Sequence, residues 1–457
     1  MKALSPADQL FLWMEKRQQP MHVAGLQLFD FPEDAGPRYI RDLVEHLRSF
    51  TEPASPFNKR LVTRFGQYFW ETDKQFDLEH HFRHRALPKP GRIRELLSYV
   101  SAAHSNLMDR ERPLWEVHLI EGVQGRRFAL YTKVHHSLFD GIAAMRMGSR
   151  ALSEDCDMRD LPPIWAMEPR RKAPGLLRNP VEMATGMARF TATMSKQLAT
   201  MPTVLGEIAK VSRKSTRDPN FVSFFQAPPS IINSKITGSR RFAAQSWPMS
   251  RYKAVASAFG CTLNDVVLAV CGSALRNYLI SQQALPDKPL IAMVPVSLRR
   301  DDSSEGNQIA MILANLGTEV ADPTLRLERV MASVKESKNR YKQMSPAEIL
   351  NYTALMMAPA GINLATGLAS GLRAFNVIIS NVPGPKQPLY WNGARLTGQY
   401  PVSIPVDQVA LNITLTSYVD SLEFGLTACR RTLPSMQRLL DYLENGLHEL
   451  EVAGGLR

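Results

Sequence analysis

Apolar residues recur along this chain at two periods, and those periods predict its elements. In PRYIRDLVEHLRSF, Ile40, Leu43, Val44 and Leu47 fall three and four residues apart, which is one face of a helix. IRELLSYVSAAHSNLMD repeats that spacing. IAAMRMGSRALSE, TLNDVVLAVCGSALRNYLISQ and PTLRLERVMASVKESKNRYKQM predict further helices. PLWEVHLIEG and RRFALYTKVHHS, joined through Gly122 to Gly125, predict a β-hairpin. PLIAMVPVSLR and FNVIISNVPGP predict strands, the second ending in a Pro-Gly turn, and VALNITLTSYVDSLEFGLTACRR a hairpin before the last helix. At the N-terminus, Ser5, Pro6 and Asp8 read as a capped helix start rather than a signal peptide. Helices and strands mixed through both halves predict the α/β (mixed α+β) class.

A chain of 457 residues exceeds the usual single-core size, so two domains are expected. The pattern changes near Trp165, where prolines cluster at 162, 163, 169, 174 and 180. Between Arg170 and Arg217 ten Lys and Arg face two Glu, Glu182 and Glu207. The expected organisation is a domain at 1–165, a basic and partly helical linker at 166–229, and a second domain at 230–457. The linker reads either as a helix packed across both domains or as a basic face for anionic lipid. From Ile349 to Leu372 no residue is charged, but Asn351, Pro359 and Asn363 interrupt the run, which argues against an unbroken membrane span. Buried helices are one reading, and an interfacial or substrate-lining segment is the other.

Charge narrows the partners. A net charge of +12 suits nucleic acid, an anionic membrane or a polyanionic small molecule. No helix-turn-helix, zinc-finger or RNP-type signature is present, which weighs against nucleic acid. The four cysteines are scattered and form no CxxC, so neither a disulfide framework nor a zinc site is expected.

The candidate chemistry sits in YTKVHHSLFDGIAAM. If the strand alternates to its end, Phe128, Leu130, Val134 and His136 share one face, while Tyr131, Lys133 and His135 share the other. His136 then points with the apolar residues. A neutral imidazole there suits a general base, because burial disfavours its charged form and its pKa lies near working pH. The plainer alternative is a satisfied core histidine. Adjacent strand residues diverge, so a shared metal site is not expected. Asp140 and Gly141 follow, the glycine read as permitting a tight strand-to-helix turn and the aspartate as a helix cap or an arginine partner.

HHSLFDG resembles the HHxxxDG motif of the CoA-dependent acyltransferase superfamily. LSPADQLFLWMEKRQQPMHVAGLQLF, FDLEHHFRH, RPLWEVHLIEG, TLNDVVLAV, PVSLR and SNVPGP follow the order found in bacterial wax ester synthase/acyl-CoA:diacylglycerol acyltransferases. The resemblance covers nearly the whole chain and is close to the wax ester synthases of marine oil-degrading bacteria. It implies two chloramphenicol-acetyltransferase-like domains, each a mixed sheet with flanking helices, with a tunnel at their interface. The activity it implies is transfer of a fatty acyl group from acyl-CoA to a long-chain fatty alcohol or to diacylglycerol, acyl-CoA being a substrate and no cofactor being needed. His136 would be the base, His135, Asp140 and Gly141 supporting members, and Arg299 a partner for Asp140. Asn264, near the start of a long helix, is an oxyanion candidate or simply a cap, and Asp265 has a structural role. Ala144 and Ala360 either bear on acyl-chain length or are ordinary packing.

His80 and His81 in FDLEHHFRH lack a following Asp-Gly and read as a cationic surface or hinge, and RPLW as a packed Trp115 beside a stiff turn. Rival readings are a condensation-type, amide-forming acyltransferase and a non-catalytic lipid-body binding protein. No GxSxG elbow or GxxxxGK loop offers another nucleophile or phosphate site. Peripheral contact with a membrane or lipid inclusion on the cytoplasmic side completes the expectation.

Overall fold

A computed structural model describes all residues except 1, 65, 140, 168–221, 223–225, 298–308, 346–347, 350, 354 and 357–372. The first part of the chain runs β1 (Lys2–Ala3), α1 (Pro6–Met14), β2 (His22–Asp30), α2 (Tyr39–Arg48), β3 (Lys59–Arg64), β4 (Gln67–Thr72), β5 (Phe82–Ala86), α3 (Ile93–Ser105), β6 (Trp115–Val123), β7 (Arg127–His135) and α4 (Gly141–Arg150). Then come β8 (Arg240–Pro248), α5 (Met249–Ala258), α6 (Leu263–Ser281), β9 (Ile291–Ser297), β10 (Ile309–Asn315) and α7 (Pro323–Lys342). The last elements are β11 (Val377–Val382), β12 (Tyr390–Trp391), β13 (Ala394–Val402), β14 (Leu411–Tyr418), β15 (Ser421–Cys429) and α8 (Arg438–Ala453).

The described residues within 1–169, 234–251 and 381–440 form one compact unit, and those within 252–380 and 441–457 form the body of a second. The chain therefore returns to its first unit instead of dividing once at the linker, most of which lies outside the described residues. The return has a physical reason: β13 bonds antiparallel to β2, whose other edge bonds β7, so β2 keeps no bare row of N–H and C=O groups. In the resulting six-stranded sheet, β12-β13-β2-β7-β6-β5, β5 and β6 run parallel and the other pairs antiparallel.

Strand alternation divides β7 between two cores. Phe128, Leu130 and Val134 join Phe29, Trp115, Trp165 and the α2 residues Ile40, Leu43, Val44 and Leu47. Ala129 and Tyr131 join Leu26, Leu28 and the α3 residues Leu96, Val100 and Ala103. One helix thus covers each face. The unit also holds a small β1-β4-β3 sheet and an antiparallel β14-β15-β8 ladder. Gly384, in the SNVPGP turn, lies so close to β14 that a Cβ there would stand 2.0 Å from the Ser417 carbonyl oxygen, so only glycine fits.

The face of β7 expected to be polar is fully buried. Lys133 and His135 are both 0% exposed. The Lys133 ammonium donates to the Ala103 (3.3 Å) and Asn106 (3.2 Å) carbonyls at the end of α3 and lies 3.2 Å from the Glu116 carboxylate. There it takes up carbonyls that a helix end leaves without partners. His118 contacts Glu116 through Nε2 (3.1 Å), and its Nδ1 accepts from the Tyr99 hydroxyl (2.8 Å). His104 donates through Nε2 to the Ser403 carbonyl (3.0 Å) and accepts through Nδ1 from Tyr131 (2.9 Å). His22 donates to the His104 carbonyl (2.9 Å). Burial holds His22, His104 and His118 below the ordinary imidazole range, His104 at about 3.

In the second unit, α6 is buried almost all round, as a helix apolar on every face must be. It packs beside α7, and β9 pairs antiparallel with β10 and parallel with β11. No single helix among the described residues is long and apolar enough to cross a membrane.

Candidate active site

Two strands fix the ends of the histidine pair. The His135 N–H donates to the Leu114 carbonyl (3.0 Å), just ahead of β6, and the His136 N–H to the Met21 carbonyl (2.9 Å), just ahead of β2. β7 ends at His135, whose own carbonyl accepts from Leu138 (2.9 Å), turning the chain toward α4. His136 is therefore the first residue of a turn, and the alternation that was to orient it stops one residue short. Its half-buried ring instead stacks on Phe11 of α1, with centroids 3.9 Å apart and planes at 19°. The ring is held by an aromatic face rather than by the sheet.

His135 is held by hydrogen bonds. The Ser137 N–H donates to its Nδ1 (3.1 Å), and the Ser137 hydroxyl lies 2.7 Å from the same nitrogen. An occupied Nδ1 lone pair places the ring proton on Nε2, 3.3 Å from the Glu15 carboxylate. Glu15 also accepts from the Met21 N–H (3.1 Å) and from Arg110 (3.0 Å). Burial by itself would raise the Glu15 carboxyl, but its hydrogen bonds with His135, the Met21 N–H and Arg110 hold it below the usual range. Glu15 thus ties α1, the start of β2 and the first histidine into one rigid piece, and Phe11 on the same helix supports the second.

The other candidate donor is in the second unit. Thr262, not Asn264, caps α6: the Asp265 N–H donates to the Thr262 hydroxyl (3.3 Å), while the Thr262 N–H (3.0 Å) and hydroxyl (2.6 Å) donate to the Asp265 carboxylate. Asp265 is buried in this capping box. Asn264 is thereby released from capping. Half-buried in the first turn, its side chain makes no hydrogen bond among the described residues.

This arrangement belongs to a known set of proteins. The model for the wax ester synthase/diacylglycerol acyltransferase catalytic domain matches residues 4–267, and the model for the C-terminal domain of the same family matches 305–451. The chain belongs to the wax ester synthase/diacylglycerol acyltransferase family. It is 50% identical to the O-acyltransferase WSD of Acinetobacter baylyi, over 99% of this chain and 97% of that one. A putative diacylglycerol O-acyltransferase of Mycobacterium tuberculosis is 44% identical over 99% of this chain and all of its own. The solved wax ester synthase/diacylglycerol acyltransferase of Marinobacter aquaeolei VT8 is 55% identical, with a TM-score of 0.82 over the full length of both chains. The first condensation domain of the CDA synthetase, 14% identical with a TM-score of 0.58 over 99% of this chain and 96% of that one, shares the fold. The protein is an O-acyltransferase with the two-domain fold of this family.

Other residues of the family motifs are placed unevenly. Asp140, Arg299 and Ala360 lie outside the described residues, as does most of 349–372. Gly141 opens α4, but its φ is not in the left-handed region and, among the described residues, nothing lies within 4 Å of where a Cβ would stand. The turn therefore does not require this glycine for its backbone conformation. Ala144 packs against the core that contains Phe128 and Leu130. His81 is not a cationic surface: it is buried, its Nδ1 donates to the Trp115 carbonyl (2.8 Å), and burial lowers its pKa. His80 beside it is exposed. Trp115 is 1% exposed and donates to the Phe57 carbonyl (2.8 Å), which holds the PLW turn where Leu114 receives His135.

Glu15 and Phe11 were not singled out from the sequence. One signal was available. Glu15 is the C-cap of α1, the helix end whose partial negative charge disfavours an acid, so a carboxylate there implies a partner elsewhere.

Proposed function

We propose that the protein transfers a fatty acyl group from acyl-CoA to the hydroxyl of a long-chain alcohol or a diacylglycerol, with His136 as general base. The observation that carries this reading is the unequal treatment of the two rings. His135 is buried with Nδ1 occupied and Nε2 facing Glu15, whereas the half-buried His136 ring stacks on Phe11 in the turn that follows β7. In the reaction His136 takes the hydroxyl proton, the oxygen attacks the thioester carbonyl directly, and the C–S bond breaks as the proton passes to the departing thiolate. Asn264 supplies a side-chain amide suited to the oxyanion of the tetrahedral intermediate.

Purified protein given palmitoyl-CoA with hexadecanol, a diacylglycerol or hexadecylamine, with free thiol and products followed, tests the reading. Ester from either hydroxyl acceptor is the expected result. Product from the amine alone would support a condensation-type enzyme. Thiol release no faster than spontaneous hydrolysis would support a binding protein.

We infer that the enzyme meets its acceptors at an anionic lipid surface, a membrane or an inclusion, on the cytoplasmic side. Leu10 and Trp13, three residues apart on α1, are 50% and 58% exposed, and exposed Lys16 and Arg17 follow. An aromatic and an aliphatic residue beside basic ones suit such a surface. All four cysteines are unpaired, in keeping with a reducing compartment. In vesicle flotation, protein binding phosphatidylglycerol-containing vesicles is expected to lose most of that binding in a Leu10→Ser/Trp13→Ser variant. Equal flotation of both proteins would refute α1 as the contact.

A further inference from the structure

We propose that Arg94, Arg241 and Arg430 form a phosphate-binding cluster for the nucleotide end of the acyl-CoA donor. The inference rests on the reading of acyl-CoA as donor and adds where its phosphates are held.

The fold brings the three together from distant parts of the sequence. On the β8–β15 ladder Arg241 lies opposite Ala428, and the Arg430 N–H extends the ladder by donating to the Ser239 carbonyl (3.0 Å). Arg430 is two residues past Ala428, so it occupies the position diagonal to Arg241 on the same face, within reach for long side chains. Helix α3 lies along the other edge of β8. Its Ser101 and Ser105 hydroxyls accept the Phe242 (2.9 Å) and Arg240 (2.8 Å) N–H groups, and Arg94 stands in its first turn. Arg241 is half-buried, and its guanidinium is held below the ordinary range, first by burial and then by the charges of Arg430 and Arg94.

None of the three makes an ion pair or a side-chain hydrogen bond among the described residues, and Glu95, the acid in that same first turn, pairs with none of them. Other exposed arginines of this unit do carry acid partners, as Arg41 does in Glu45 and Arg48 in Glu79. Arg94 moreover sits at the positive end of the α3 dipole, where a cation is disfavoured and an anion favoured. Converging positive charges without counter-charges repel one another, and a polyanion relieves that repulsion. The nucleotide end of CoA carries a diphosphate and a ribose phosphate, and guanidinium groups bind phosphate in bidentate fashion. The cluster is also tied to the reacting imidazole. Arg240, next to Arg241, donates to the Gln18 carbonyl (2.8 Å), and that segment leads to Met21, whose carbonyl receives the His136 N–H.

Arg94→Gln, Arg241→Gln and Arg430→Gln, singly and together, test the proposal with two donors: palmitoyl-CoA and palmitoyl-pantetheine, which keeps the thioester but lacks the nucleotide. The KM for palmitoyl-CoA is expected to rise about tenfold for a single change, the size of one charge-assisted hydrogen bond. The kcat should stay within twofold, kinetics with palmitoyl-pantetheine should not move, and Arg→Lys should restore part of the loss. An unchanged KM for palmitoyl-CoA in the triple variant overturns the proposal. So does loss of flotation on phosphatidylglycerol vesicles with normal KM, which would make the cluster a lipid-headgroup site. Calorimetric binding of 3′,5′-ADP to wild-type protein and to the triple variant reads the site without turnover. If wild-type protein turns over neither thioester yet binds 3′,5′-ADP through these arginines, the acyl-transfer reading fails and the cluster stands.

Discussion

His136→Ala lowers kcat with palmitoyl-CoA and hexadecanol by about 10²–10⁴-fold, the usual contribution of a positioned general base. Little stability should go with it. The ring lies outside the sheet, and its stack on Phe11 is an interaction of about 0.5–1.5 kcal/mol. Thermal unfolding beside the thiol-release assay therefore separates the two effects: a large loss of turnover with a nearly unmoved melting temperature. His135→Ala makes the useful contrast. That ring is fully buried between Ser137 and Glu15, so its removal should lower stability and turnover together. If His136→Ala turns over at the wild-type rate, another group accepts the hydroxyl proton and the assignment is wrong.

The sequence shows most clearly those elements that bury one face. Helix α2 is one, because Ile40, Leu43, Val44 and Leu47 point into a single core while its other face carries charge. The β6–β7 hairpin was legible from its turn, where Gly122, Gly125 and Arg126 all adopt positive φ. Strand β13 was not. Gly398 and Pro401 lie within it, and only pairing with β2 across most of the chain makes it a strand. The burial of Lys133 was not legible for a different reason. A lysine in a period of two reads as solvent-facing, and nothing local reveals that Glu116 and the end of α3 complete its hydrogen bonds. The histidine pair was legible as a motif, but its orientation was not, because the geometry comes from the strand ending at His135 and from Phe11 and Glu15 on a helix more than a hundred residues away.

Glu116→Gln destabilises the protein by about 3–5 kcal/mol, the cost of leaving a buried charge without its partner. Lys133 is 0% exposed, and Glu116 is its only carboxylate contact among the described residues closer than 4 Å. Adding Lys133→Met should restore part of that loss by removing the orphaned ammonium. It should not restore all of it, since the Ala103 and Asn106 carbonyls then lose their donor. The pH dependence gives an independent reading. Burial acts to raise the Glu116 carboxyl, but the His118 hydrogen bond and the Lys133 charge outweigh it and hold it at about 2, against an ordinary value of 4.5. Between those values the unfolded chain binds a proton that the folded chain refuses, so about 3 kcal/mol of stability present above pH 4.5 is lost as the pH falls toward 2. His104, pushed down to about 3 from an ordinary 6.5 by burial, acts in the same direction. Its contribution is complete above pH 6.5 and declines by roughly 1.4 kcal/mol per pH unit below it. Urea unfolding from pH 7 to pH 3 should therefore show a midpoint that falls from about pH 6.5 and steepens below 4.5, and in Glu116→Gln the steeper second limb should be reduced. A wild-type midpoint that holds constant from pH 7 to pH 4 would mean that these imidazoles are solvated and that the polar face of β7 is open to water.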